Sequence, residues 1–132
     1  MMIASIEQVR ARYAYGCAVE GSRLANHSRE YKSYVKKIPA LIKTNGLGAT
    51  VAFIAAKKKD NPRKKEYAYQ VIYNQLMGWL VQKGLVEGDK ELVEQIISLN
   101  SPIYRQVTME VLALFKWMGR FAEALIAGEA ND

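Results

Sequence analysis

Ser101-Pro-Ile-Tyr-Arg-Gln-Val-Thr-Met-Glu-Val-Leu-Ala-Leu-Phe-Lys-Trp-Met-Gly-Arg-Phe-Ala-Glu-Ala-Leu125 is the stretch that decides the fold. Ile103, Val107, Val111, Leu114, Met118, Phe121 and Leu125 recur at steps of three or four residues, which puts them on one stripe of an α-helix. Asn100-Ser101-Pro102 marks the start, an Asn able to cap the first amides followed by a proline in the first turn, where a missing N–H is harmless. Leu112, Phe115 and Trp117 widen the apolar surface beyond one stripe. Such a helix is either central to a bundle or meets a partner on its outer face.

Helical periodicity continues through the remainder of the chain. Ile6, Val9, Tyr13 and Cys17 share one face of a helix over about Ser5 to Glu20, followed by turn chemistry at Gly21, Asn26 and His27. Tyr31, Tyr34, Val35 and Ile38 open a second helix, which Pro39 is expected to kink or restart. Asn45-Gly46 ends it. Leu47, Val51, Ile54 and Ala55 form a third helix, with Phe53 on its flank, running into three lysines. A fourth, from about Arg63 to Lys83 with Asp60 or Asn61 as cap, buries Ala68, Val71, Ile72, Leu76, Trp79 and Leu80. Gly88-Asp89 reads as a stop and a new cap before a short helix around Leu92, Val93, Ile96 and Ile97. The expectation is an all-α protein, residues 1–132 forming one domain, a single compact bundle of about six helices joined by short connections.

Charge is distributed unevenly along this bundle. Residues 1–65 carry fourteen Lys/Arg against four Asp/Glu, a net +10, whereas the remainder carries five against nine, a net −4. The densest cluster is Lys57-Lys-Lys-Asp-Asn-Pro-Arg-Lys-Lys65. Lysines at the end of a helix complement its dipole, which gives Lys57, Lys58 and Lys59 a structural motive. Arg63, Lys64 and Lys65, placed in the first turn of the next helix, would oppose the dipole. That cost favours a role in holding a polyanion. The competing reading is a solvated, solubilising loop tip. Tyr31 and Tyr34 lie beside Lys32, Lys36 and Lys37, and Tyr67 and Tyr69 follow Lys65. Tyrosine rings can stack single-stranded bases, although in a helical bundle they more often line the core boundary.

Catalytic and metal chemistry find little material. Cys17 is the one cysteine and His27 the one histidine, too few for a zinc site or a nucleophile with its base. Cys17 reads as a buried thiol in a reducing compartment, and His27 as a capping or exposed turn residue. Glu91 and Glu94 read as a solvated face, and Glu110 as a partly buried acid pairing with Arg105 or a loop lysine. Gly46-Leu47-Gly48 lacks the Gly-Lys-Ser/Thr of a phosphate loop. A helix-turn-helix over Asp89–Leu99 and the helix after Pro102 would offer only Arg105 to grip DNA. Met1 to Arg12 reads as ordinary helix rather than a signal segment, and no window has the length and apolarity of a membrane span. The expectation is a cytoplasmic protein without enzymatic activity, cofactor or metal.

Three stretches together resemble a known family. They are Lys37-Ile-Pro-Ala-Leu-Ile-Lys-Thr-Asn-Gly-Leu-Gly-Ala-Thr-Val-Ala-Phe-Ile54, then Leu76 with Trp79-Leu80, then Tyr104-Arg-Gln-Val-Thr-Met-Glu-Val-Leu-Ala-Leu114 leading to Trp117 and Arg120-Phe-Ala-Glu123. In this order they resemble the small helical subunit of the Cmr (type III-B) CRISPR effector complex. The resemblance implies about six helices, no catalysis, and a place in a cytoplasmic ribonucleoprotein in which small subunits stack beside a guide–target duplex. It implies other subunits of that complex, neighbouring copies of the same chain, and guide and target RNA as partners, with no membrane. On that reading Lys57, Lys58, Lys59, Arg63, Lys64 and Lys65 form the main phosphate-facing surface, with Lys36, Lys37 and Lys43 as a second tier. Trp117, or another outer residue of the last helix, packs on a neighbour. The alternatives are a stand-alone basic helical nucleic-acid-binding or regulatory protein, and an assembly piece whose cations offset acidic neighbours. A helical enzyme is a third class, and it would need a cluster of buried acids.

Overall fold

The computed structural model describes residues 5–130. Residues 1–4, expected to belong to the first helix, and residues 131–132 lie outside the described residues. The elements are α1 (Ile6–Ser22), a 3-10 turn (Ala25–His27), α2 (Ser28–Asn45), α3 (Leu47–Lys57), α4 (Tyr67–Gln82), α5 (Leu92–Ile97) and α6 (Ser101–Leu125), with no strand among the described residues. This is the all-α bundle of six helices that the periodicity predicts.

α6 is the central element. Val107, Val111, Leu114, Phe115, Met118 and Ala122 are buried along it, against α1 and α2. Its start is set as expected, with the Asn100 side chain accepting from the Ile103 N–H and Pro102 in the first turn. At the other end the stripe departs from strict spacing: Ala122 rather than Phe121 is fully buried, and Leu125 is exposed. All six core residues expected of α4 are buried, Trp79 completely. α3 packs between α2, α4 and α5. The Gly48 N–H donates to the Tyr104 hydroxyl at 2.8 Å, fastening the start of α3 to that of α6.

α1 turns inward only part of the expected face: Cys17 is buried and Tyr13 packs against the core, but Ile6 and Val9 are exposed, and Arg10, Ala14, Ala18 and Gly21 are buried instead. Apart from Arg10 the buried set is a line of small residues, which lets α1 approach its neighbours closely. Its limiting case is Gly21, where a Cβ would fall 2.1 Å from the Tyr31 ring of α2. Ser5 and Gln8 close a reciprocal capping box at the start of this helix.

Of the kink or restart expected at Pro39, the restart does not occur: α2 passes through the proline as one helix. Val35, Ile38 and Ile42, buried on both sides of it, supply the packing that outweighs one absent hydrogen bond. α2 ends at Gly46, whose φ of 90° is open to glycine and unfavourable to other residues. α4 begins four residues later than predicted, at Tyr67 instead of Arg63. It ends at Gln82, before Gly84 with φ 73°, and the cap of α5 is Glu91 rather than Asp89.

Candidate nucleic-acid interface

The late start of α4 reshapes the basic cluster. Lys58 is extended, with φ −61° and ψ 142°, and turns the chain out of α3. The Asn61 side chain accepts from the Arg63 N–H at 3.0 Å, and the amides of Lys64, Tyr67, Ala68 and Tyr69 each bond three residues back. A run of tight turns therefore replaces the predicted first helical turn, and Glu66 takes the position just before α4. Contrary to expectation, Arg63, Lys64 and Lys65 do not sit in that helix's first turn and do not oppose its dipole from there. The physical reason is the same repulsion: an acidic residue at the positive end of a helix is favourable and three cations are not.

Five of the six loop cations are well exposed, and Lys58 is half-buried. The one ion pair found for them among the described residues is Lys59 with Glu66, at 3.8 Å. Lys57 Nζ lies 5.8 Å from the centre of the Phe53 ring, and Lys58 Nζ lies 5.0 Å from that of Tyr73. Arg63 is further fixed through its carbonyl, 3.1 Å from His27 Nε2. His27 thus links the turn before α2 to the basic loop instead of standing free in solvent.

The second tier divides. Lys37 joins the loop cations: with Lys57 and Lys65 it borders a cavity of about 360 Å³ between α2, α3 and the start of α4. Aromatic rings line this cavity. Tyr34 and Tyr69 stack at 3.8 Å with planes 8° apart, Phe53 meets Tyr69 edge-on at 5.8 Å, and Lys37 Nζ is 5.0 Å from the Tyr34 ring centre. Burial pushes the Tyr34 and Tyr69 phenols up to about 12, so both are neutral at physiological pH; Glu30 and Glu66 line the same cavity beside the three lysines. Lys36 faces α6 and pairs with Glu123 at 2.6 Å. Lys43, seven residues after Lys36, projects from the same side of α2 and is exposed. Two tyrosines noted beside cations are committed to the interior. Tyr31 is fully buried, its hydroxyl donating to Gln75 Oε1 at 2.8 Å with the Cys17 carbonyl 3.0 Å away, and Tyr69 is buried beneath Tyr34. Lys32 is buried as well, donating to the Ile126 carbonyl at 3.0 Å.

A second charged cluster lies elsewhere in the bundle. Arg10 of α1 reaches Glu110 of α6 through two bonds of 2.7 and 3.0 Å, the Trp79 indole donates to the same carboxylate at 3.0 Å, and Lys83 stands 3.8 Å away. Glu110 therefore pairs with Arg10, which the sequence did not mark, and with Lys83 in the turn after α4, the loop lysine that was one of its two expected partners; Arg105 is not among its partners. Desolvation pushes its pKa up, but the hydrogen bonds from Arg10 and Trp79 more than offset this and leave the carboxyl below its ordinary value. The signal for Glu110 was its place beside an apolar stripe; nothing local marked Arg10. Trp117 is half-buried, donating to Glu7 at 2.7 Å and stacking on Phe121. Cys17 is buried, and burial pushes its thiol up to about 12, far from a reactive thiolate. No group of three or more His, Cys, Asp or Glu among the described residues is arranged to hold a metal ion, and no helix of the described chain is long and apolar enough to cross a membrane.

Comparison with known proteins agrees along nearly the whole chain. Residues 6–125 match the family described as CRISPR-associated protein (Cas_Cmr5). The CRISPR system Cmr subunit Cmr5 of Thermus thermophilus is 31% identical over 119 residues, which cover 90% of this chain and 94% of that protein. The crystal structure of a CRISPR-associated Cmr5 family protein from Thermus thermophilus superposes with a TM-score of 0.75 at 29% identity, covering 95% of this chain and all of that one. Sequence and fold agree over the same span, and the chain belongs to the CRISPR-associated Cmr5 family.

Proposed function

We propose that this protein is a non-catalytic small subunit of a type III-B (Cmr) effector ribonucleoprotein, acting in the cytoplasm in RNA-guided antiviral defence. The whole chain acts as one domain, a reading supported by a single core cluster that draws on all six helices. Its task is to help assemble the complex beside other subunits and further copies of itself, and to line the path of guide and target RNA. Lys57, Lys58, Lys59, Arg63, Lys64 and Lys65 face the phosphates, joined by Lys37. Lys43 extends the positive surface along the other side of α2, where Lys36 is paired with Glu123.

The observation that carries this reading is a run of five well-exposed loop cations with a single ion pair among the described residues, Lys59 with Glu66 at 3.8 Å, whereas the buried Arg10 and half-buried Lys83 are both spent on Glu110. Cations that a fold leaves unneutralised are available to a polyanion, and each phosphate they neutralise adds about −0.7 to the slope of log affinity against log salt on a single strand. Contacts of this kind position RNA without reading its sequence, which suits a complex whose specificity comes from base pairing.

The test is target-RNA cross-linking to this subunit in the assembled complex, with the six loop cations intact or replaced by Ser. Loss of the cross-links with the complex still assembled is the expected result. Unchanged cross-linking would remove the loop from the RNA path. It would favour a purely architectural subunit whose cations offset acidic neighbours.

A further inference from the structure

The cavity between α2, α3 and the start of α4 has more in it than phosphate contacts require. A groove that only tracks a backbone needs cations. This one sets aromatic surface beneath them, Tyr34 and Phe53 both half-exposed under the ammonium groups of Lys37 and Lys57. At about 360 Å³ it falls within the size range of small-molecule sites. Tyr69 is not open to a ligand, since one face is covered by Tyr34 and an edge-on contact with Phe53 holds it. It braces the other two rings.

The same wall contains Glu30, whose Oε2 is buried and has no hydrogen-bond partner among the described residues. A buried carboxylate oxygen without a donor is rare in folded proteins and calls for one from outside. Aromatic surface, clustered ammonium groups and an acceptor lacking a donor are together the requirements of one ligand class: a flat heterocycle bearing an amino group and attached to phosphate.

We propose that this cavity receives a single unstacked nucleotide of a bound RNA strand. The base lies against Tyr34 and Phe53, and the exocyclic amine of cytosine, adenine or guanine donates to Glu30. The adjoining phosphates rest on Lys37, Lys57 and Lys65. Uracil has no exocyclic amine and offers only its ring N3–H, flanked by two carbonyl oxygens that repel a carboxylate, so it is disfavoured. Lys37 has a flexible stem and swings off the ring to admit the base. The proposal rests on the reading of these lysines as RNA-facing and adds to it a base-binding position with a preference.

The experiment uses the assembled complex carrying RNA with bromocytidine or bromouridine at matched positions, the guide and the target labelled in separate arms. After irradiation, the cross-linked peptides of this subunit are mapped. The expected result is a cross-link at Tyr34 or Phe53 from one strand, stronger for cytidine than for uridine. Glu30→Leu abolishes that preference, and Phe53→Leu lowers the cross-link roughly tenfold, as loss of one base–aromatic stack does, while the RNA content of the complex is unchanged. The unsubstituted protein supplies the main readout, so a variant that fails to fold does not decide the matter. Cross-links confined to the loop peptide around Lys58 and Lys64 would overturn the pocket and leave the phosphate-facing surface standing. No cross-link to this subunit from either strand would overturn both. Equal cross-linking by the two nucleosides at Tyr34 or Phe53 would overturn the amine recognition by Glu30.

Discussion

Arg10 and Arg63 come from the same basic half of the chain, yet the fold treats them oppositely. Arg10 is buried between α1 and α6, where Glu110 takes two of its hydrogen bonds and Glu7 a third at 2.6 Å. Arg63 stands on an exposed turn, held by its backbone and without an ion pair among the described residues. Both contribute equally to a net-charge count. One is consumed in holding two helices together, and the other is left for something outside the molecule. A basic composition therefore overstates the surface available to RNA, and subtracting the internally paired cations locates it.

The most direct way to break this comparison is to remove the buried partner. Arg10→Ala leaves Glu110 enclosed beside Trp79 with only the more distant Lys83, and truncating one side of a buried pair costs about 3 kcal/mol or more. Urea denaturation is expected to show that loss, against a change within about 0.5 kcal/mol for Arg63→Ala. Equal effects would mean that the two arginines do not differ as described.

Next in size is the reverse operation on the exposed side. Replacing the six loop cations by Ser is expected to reduce the salt dependence of RNA binding by the complex, by about 0.7 for each phosphate no longer neutralised. The isolated subunit's unfolding midpoint should remain near the wild-type value. A large fall in that midpoint would show the loop to be structural after all.

Acid titration sharpens the same contrast. The Glu110 carboxyl lies below its ordinary value of 4.5 in the folded protein, so its contribution to stability is present above the unfolded value and is lost as pH falls through the folded one. Thermal unfolding followed from about pH 6 down to about pH 3 should show a decline that begins near the ordinary carboxylate range. Glu110→Gln should flatten that part of the curve, because its side chain has no proton to gain. A parallel pair of curves would assign the acid sensitivity to other groups.

The smallest effect is expected at Lys36 and Glu123. Their 2.6 Å contact is short, but both side chains are about half exposed, and surface pairs of this kind are weak. Lys36→Ser should leave the thermal midpoint unchanged within error. A clear shift would place this pair with the buried network and not with the solvated surface.

Much of the fold was legible because its signals are local. Asn100 and Pro102 start α6 through bonds within one turn, Gly46 ends α2 through its own φ, and Val107, Val111, Leu114 and Met118 are buried as their spacing requires. The failures were of another kind. Ile6 and Val9 offered α1 an apolar face, but the helix is oriented by small residues and by Arg10, whose partner is one hundred residues away. Pro39 should disrupt an isolated helix, and neighbouring core residues carry α2 through it. The site was half legible: the loop cluster is visible as a run, but its junction with Lys37 and the aromatic wall depends on α2 lying beside α3 and α4.

By itself the sequence determined the helices, most of their ends, the uneven charge and the family resemblance, since periodicity, capping and motif order are carried by residues near one another in the chain. The tertiary structure alone decided which cations are neutralised. Pairing requires a carboxylate within a few ångströms, and Glu110 for Arg10 and Glu123 for Lys36 arrive only through the packing of α6 against α1 and α2; the same packing buries Lys32 on the Ile126 carbonyl, a hydrogen bond without a counter-charge. Lys37, Lys57 and Lys65 meet by the same packing, around rings that fill the space between them and leave the three charges facing outward.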